Sequence, residues 1–173
     1  LRGYHYSLKE YLATHEAGGF TQLSLDLTSR CNYRCVWCFN QHLRDQDENM
    51  ITLAERVRVL QEAKELGARA VSFPGTGEPI LDPDLDEVIK EAHKLGLTPV
   101  VYSNLTGNLT EDRIKFFFDH DVSIGIKLDS FDPTYFAKRY RAGISAHALF
   151  MQNLQTLVDV YKGSRTSLVL DEV

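Results

Sequence analysis

Cysteine is scarce in this sequence. Its 173 residues hold three, Cys31, Cys35 and Cys38, all within one stretch of eight. An odd number in one tight cluster is a poor disulfide framework, and a redox pair of Cys35 with Cys38 leaves Cys31 over. No apolar run approaches the roughly 18–20 residues of a helical membrane span, and no charged-then-apolar leader points to secretion. Charge of one sign is not in great excess: 19 Lys+Arg stand against 24 Asp+Glu, a net of −5. That mild acidity argues against a general nucleic-acid binder, while leaving room for a local basic patch. Low-complexity tracts and linkers are absent. Disorder as the dominant state is excluded by 43% hydrophobic and 10% aromatic residues.

What remains is the composition of one globular domain with its own core. The chain opens on Leu1 rather than Met and closes on strand-like residues, so it reads as a trimmed piece of a longer one. Residues 1–20 read as a lead-in, helical around Leu8–His15, and 21–173 as the core domain.

Periodicity gives the element order. Residues 22–28 (QLSLDLT) alternate, with Leu23, Leu25 and Leu27 on one face, which predicts a strand. Thr52 and Glu55 form a capping box for a helix over 52–66, with Leu53, Val57 and Leu60 on one face and Gly67 closing it. A strand at 69–73 follows. The next helix has Asp82 as its expected cap, Pro83 at its first position and Gly96 as its stop; Leu85, Val88, Ile89, Ala92 and Leu95 form its stripe. Further strands are expected at 98–102, 122–128 and 165–171, and helices at 110–119, 133–140 and 145–161, with Gly163 ending the last. Strands alternating with helices imply an α/β fold with a parallel sheet and right-handed crossovers. In such sheets functional groups gather at the carboxyl ends of the strands. Here those ends carry the cysteines, Gly75-Thr76-Gly77-Glu78-Pro79, Ser103-Asn104 and Lys127-Leu128-Asp129-Ser130.

Three thiols at this spacing can converge on one metal centre, because the intervening residues form a turn. Such a site needs reduced thiols, which points to a cytoplasmic setting. One reading is a Cys3His zinc site with His42 as fourth ligand, and hence a non-catalytic zinc- or cluster-binding module acting through a partner. Zinc leaves the glycine-rich segment one βα unit later without a purpose.

Cys31-Asn32-Tyr33-Arg34-Cys35-Val36-Trp37-Cys38, a C-x3-C-x2-C loop with an aromatic before its last cysteine, resembles the radical S-adenosylmethionine (SAM) superfamily. The resemblance covers nearly the whole chain and implies a partial (β/α)6 TIM-like barrel, of which about five parallel strands are present. It implies a 4Fe–4S cluster held by Cys31, Cys35 and Cys38, with its fourth iron left for the amino and carboxylate groups of SAM. Reductive cleavage then gives methionine and a 5′-deoxyadenosyl radical that abstracts hydrogen from a substrate. The Gly75–Pro79 segment resembles the family's Gly-Gly-Glu-Pro, with Thr76 between the glycines. The resemblance assigns Gly75, Thr76, Gly77 and the Glu78 carboxylate to the methionine ammonium, against a plain tight turn capped by Pro79.

Ser103 and Asn104 stand where the family places ribose or methionine contacts. Lys127 and Asp129, two apart on one face of a strand, resemble its contacts to ribose hydroxyls and the methionine carboxylate, against an internal ion pair. Trp37 is read as packing or stacking near the adenine and screening the cluster. Tyr135, Phe136 and Tyr140 are read as packing, Arg139 and Arg141 as surface residues with an anionic substrate group as the alternative. His93 reads as solvated or packed, and His5, His15, His120 and His147 show no ligand spacing. The family's chemistry implies an electron donor of the flavodoxin or ferredoxin type. Peptide, small-metabolite and nucleotide substrates all stay open.

Overall fold

Strands and helices alternate along the computed structural model, which describes residues 4, 6–46, 50–164 and 167–171. After α1 (Leu8–Glu16) come β1 (Gln22–Ser24), α2 (Leu53–Glu65), β2 (Ala70–Phe73), α3 (Leu85–Lys94) and β3 (Thr98–Ser103). These are followed by α4 (Glu111–Asp119), β4 (Ser123–Lys127), α5 (Pro133–Tyr140), α6 (Ile144–Tyr161) and β5 (Leu168–Asp171). The five strands form one parallel sheet in the order β1-β2-β3-β4-β5. A wholly parallel sheet in sequential order is the wall of an open βα barrel, and all strand carboxyl ends meet at one rim. Among the described residues no helix is long and apolar enough to cross a membrane.

The stripes that predict the helices are what the helices bury. Leu85, Val88, Ile89 and Ala92 of α3 are wholly buried, as are Ile114 and Phe117 of α4 and Phe136, Phe150 and Leu157 of α5 and α6. Leu95 is half-buried. Thr52 and Glu55 form their capping box, and Gly67 takes the positive φ that ends the turn after α2. The lead-in helix α1 buries none of its own residues and is tied down by Glu10 to Arg69 at 2.9 Å.

Three expectations are corrected. The first strand pairs only over Gln22–Ser24, with Leu25 N–H still reaching Ser72 O. Residues 26–28 leave the sheet: the Leu27 carbonyl accepts from Arg56 and the Thr28 carbonyl from Gly77 N–H. Leu25 and Leu27 stay buried all the same. Asp82 does not cap α3; Asp84 is the N-cap. The Asp82 carboxylate instead accepts from Asp84 N–H and, at 2.9 Å, from the guanidinium of Arg56, both side chains being 4% exposed. The fifth strand starts at Leu168; the expected start at 165 lies outside the described residues, as does His5.

Candidate functional site

The cysteine loop leaves the carboxyl end of β1 and is gripped from two sides. On one side it runs along the end of α5, where Arg34 N–H donates to Tyr140 O and Val36 N–H to Arg139 O, at 3.1 and 2.9 Å. Tyr33 points inward, buried, edge-on to Phe136 and tilted against Tyr140. The Cys35–Cys38 turn closes through Cys38 N–H to Cys35 O at 3.2 Å. All three cysteines are free and half-buried.

On the other side lies the Gly75–Pro79 segment after β2. Gly77 N–H donates to Thr28 O (2.9 Å) and Glu78 N–H to Arg30 O (2.8 Å), while Thr76 N–H is held by the Asp26 carboxylate. The seam is too close for a side chain: a Cβ on Gly77 falls 2.1 Å from Arg30 O. Gly75 has φ +77°, and a Cβ there meets Gly77 O at 2.5 Å. Both glycines are thus required by the backbone itself.

The Glu78 side chain faces the third strand. Its carboxylate is buried and turned to the end of β3, accepting from Ser103 Oγ (2.7 Å), Asn104 N–H (2.8 Å) and Ile80 N–H (3.3 Å). Burial pushes its acid up from the usual carboxylate range, against the pull of these donors and of Lys127. Ser103 and Asn104 are therefore brought to Glu78, as their shared rim requires. Asn104 then links to Asn32, between the first two cysteines: Asn104 Nδ2 donates to Asn32 Oδ1 and Asn32 Nδ2 to Thr106 Oγ1, at 2.9 and 2.8 Å. One polar chain thus runs from the cysteine loop to the buried acid. At its bend Leu105 takes a left-handed φ of 56° while wholly buried, held by Asn153 Nδ2 on its carbonyl. That conformation is strained for a bulky residue.

Lys127 and Asp129 do not pair with each other. Lys127 Nζ lies 3.5 Å from Pro74 O, beside the glycine segment. Asp129 lies 3.7 Å from Arg139 Nε and donates its backbone N–H to Tyr140 Oη, which in turn donates to Lys127 O. Trp37 sits edge-on to Tyr140, with the Arg139 guanidinium 4.4 Å from its ring centre, so its packing partner is α5. His93 is exposed, its ring beside that of His120.

Sequence reasoning passed over Asn32, Thr106, Asp26, Tyr33 and Arg56. An asparagine inside a thiol loop was the one available signal; the others declare themselves only through partners far along the chain.

The donor set suits an iron–sulfur cluster. Burial pushes the Cys31 thiol up, and it pushes Cys35 up to about 11 with help from the charges of Cys31 and Cys38. The thiols feel one another, and a cationic iron centre reverses that penalty by binding them as thiolates. Among the described residues no three histidine, cysteine, aspartate or glutamate side chains gather into a single-ion cage. A zinc ion needs all its ligands about 2.0–2.3 Å from one point, whereas a cluster spreads its thiolates over separate irons. His42 is exposed on a short 3-10 turn, Gln41–Leu43.

Comparison with known proteins points the same way. The model of the Radical SAM superfamily matches residues 25–172. A GTP 3′,8-cyclase of Staphylococcus saprophyticus is 28% identical over 137 residues, covering 75% of this chain and 40% of that protein. A GTP 3′,8-cyclase of Tolumonas auensis is 32% identical over 120 residues, covering 68% and 35%. The chain thus spans about two fifths or less of these relatives' length. Among solved structures, Streptococcus suis SuiB bound to precursor peptide SuiA superposes with a TM-score of 0.70. The identity is 16%, over 92% of this chain and 35% of that one.

Proposed function

The chain belongs to the radical SAM superfamily, and from that premise we propose that it is the cluster- and SAM-binding core of a radical SAM enzyme, residues 21–173. Cys31, Cys35 and Cys38 hold the 4Fe–4S cluster. When bound, the cluster supplies the electron that splits the sulfonium of SAM into methionine and a 5′-deoxyadenosyl radical able to take hydrogen from a substrate.

The observation that carries this reading is the backbone seam from Thr28 and Arg30 to Gly77 and Glu78. It sets three half-buried thiols beside a loop that lacks a Cβ at Gly75 and Gly77, on the rim shared by Ser103, Asn104 and Lys127. The half-buried residues 74–77 cradle the methionine end, and Lys127 meets its carboxylate. Glu78 serves from behind: its carboxylate fixes the end of β3 and, through Asn104 and Asn32, the cysteine loop. The ring of Trp37 shields one flank of the thiols from water. The need for reduced thiols supports a cytoplasmic setting, with electrons from a flavodoxin- or ferredoxin-type donor.

The test is anaerobic reconstitution followed by dithionite and SAM. Methionine and 5′-deoxyadenosine in equal amounts are expected, with each single Cys→Ala variant losing both cluster and product. A colourless protein holding one tight zinc defeats the proposal.

A further inference from the structure

Arg44 brings a buried, unanswered donor to the thiols. Its Nε is shut away from solvent, and among the described residues no acceptor meets it. A buried guanidinium N–H without an acceptor is costly, and folded proteins supply one. The loop that carries Arg44 is folded back against the cysteine loop. After Cys38 the 3-10 turn Gln41–Leu43 brings the backbone round, and Asp45 takes a left-handed φ of 56°. Gln41 Nε2 donates to Cys35 O at 3.4 Å, and Gln46 N–H donates to Ser29 Oγ at 2.7 Å. The loop is thus pinned at Cys35 and two residues before Cys31, with Arg44 between the pins. Arg34 is otherwise engaged: its guanidinium donates to the carbonyls of Cys31 and Tyr33 and to the Asp45 carboxylate. The thiols register the charge of Arg44. Burial pushes the Cys31 and Cys35 thiols up, and the Arg44 guanidinium pulls both down.

We propose that Arg44 Nε–H donates to a sulfur of the iron–sulfur centre held by Cys31, Cys35 and Cys38, and that its charge makes that centre easier to reduce. The inference rests on the cluster reading of the site. Thiolate and sulfide sulfurs are electron-rich acceptors, and hydrogen bonds to them tune the potential of a cluster. On reduction the centre takes one electron and becomes more negative by one charge, so a cation at its edge favours the reduced form. A buried contact of this kind shifts the one-electron equilibrium by about tenfold, which is about 59 mV.

The experiment titrates the reconstituted full chain with dithionite and redox mediators, without SAM, and follows the centre by electron paramagnetic resonance. At a given ambient potential R44Q is expected to hold about tenfold less reduced centre relative to oxidised, a midpoint about 59 mV more negative than wild type. R44K keeps the charge and is expected to fall between the two. R58Q removes an exposed arginine paired with Glu62 on α2 and keeps the wild-type midpoint. In wild type carrying arginine labelled with 15N in its side chain, pulsed resonance of the reduced centre is expected to show a coupled 15N that R44K loses. A wild-type midpoint in R44Q, or an equal shift in R58Q, overturns the proposal. Weaker SAM binding in R44Q with an unmoved midpoint also overturns it, because the guanidinium then belongs to the SAM carboxylate. Where R44Q takes up no cluster, the 15N coupling decides, and its absence in wild type overturns the proposal. A wild type that takes up zinc and no iron defeats the reading of the site itself. One that holds the cluster and yields no 5′-deoxyadenosine counts against the proposed activity alone, since the midpoints do not depend on it.

Discussion

Replacing Gly77 with alanine tests the seam that joins the two halves of the site. Its Cβ falls 2.1 Å from Arg30 O and 2.7 Å from Ser29 C, backbone against backbone, so no rotamer change relieves it. Either the segment after β2 or the cysteine loop must shift. The shift breaks Gly77 N–H to Thr28 O and Glu78 N–H to Arg30 O, each worth about 1 kcal/mol net. Overpacking adds about 1–3 kcal/mol, giving a loss of roughly 3–5 kcal/mol. For a chain of this size that lowers the melting temperature by about 10 °C. Thermal unfolding of the cluster-free chain reads the stability, and iron retained after reconstitution reads the site. Gly143→Ala is the control, because its Cβ meets nothing closer than Ser145 Oγ at 3.4 Å. A G77A protein that melts with wild type and takes up the same iron refutes the close-approach argument.

Removing Arg56, whose buried guanidinium holds Asp82 and Leu27 O, leaves a buried carboxylate uncompensated. R56A should lose about 3–5 kcal/mol in urea unfolding, and a shift under 1 kcal/mol counts against the pair. Tyr140→Phe removes the bridge between Lys127 O and Asp129 N–H; a loss of about 1–3 kcal/mol is expected, with weaker SAM binding by the reconstituted protein. Glu78 adds a pH dependence. Burial raises its folded pKa above the unfolded value near 4.5. The stability its neutral acid confers is therefore present below that pH and lost as pH rises through the raised value. Wild type minus E78Q, measured in urea at pH 5 and pH 8, should be smaller at pH 8; an equal difference contradicts the burial of that charge.

The order of elements was legible because helices α3 to α6 hide apolar stripes and strands β2 to β4 are short buried runs, although α1 hides none of its residues. The rim was legible too, since parallel βα units put Cys31, Gly77, Ser103 and Lys127 on one side whatever their side chains do. What escaped were pairings between distant residues. Residues 26–28 alternate like a strand, yet Thr28 O is taken by Gly77 N–H and Leu27 O by Arg56, which no local pattern declares. Asp82 has the look of a helix cap, and only the fold shows Arg56 arriving beside it. Lys127 and Asp129 share a strand end, but the arginine that reaches Asp129 comes from α5. Glu78 gives no local sign of the Ser103 and Asn104 donors that meet its carboxylate at the end of β3.

Electron paramagnetic resonance of the reconstituted, dithionite-reduced chain, recorded with and without SAM, probes the open iron most directly. The account predicts a reduced 4Fe–4S signal whose g values move when SAM is added and vanish when any one of the three cysteines is replaced. A signal that ignores SAM, or thiols that take up zinc and leave no iron signal, contradicts it.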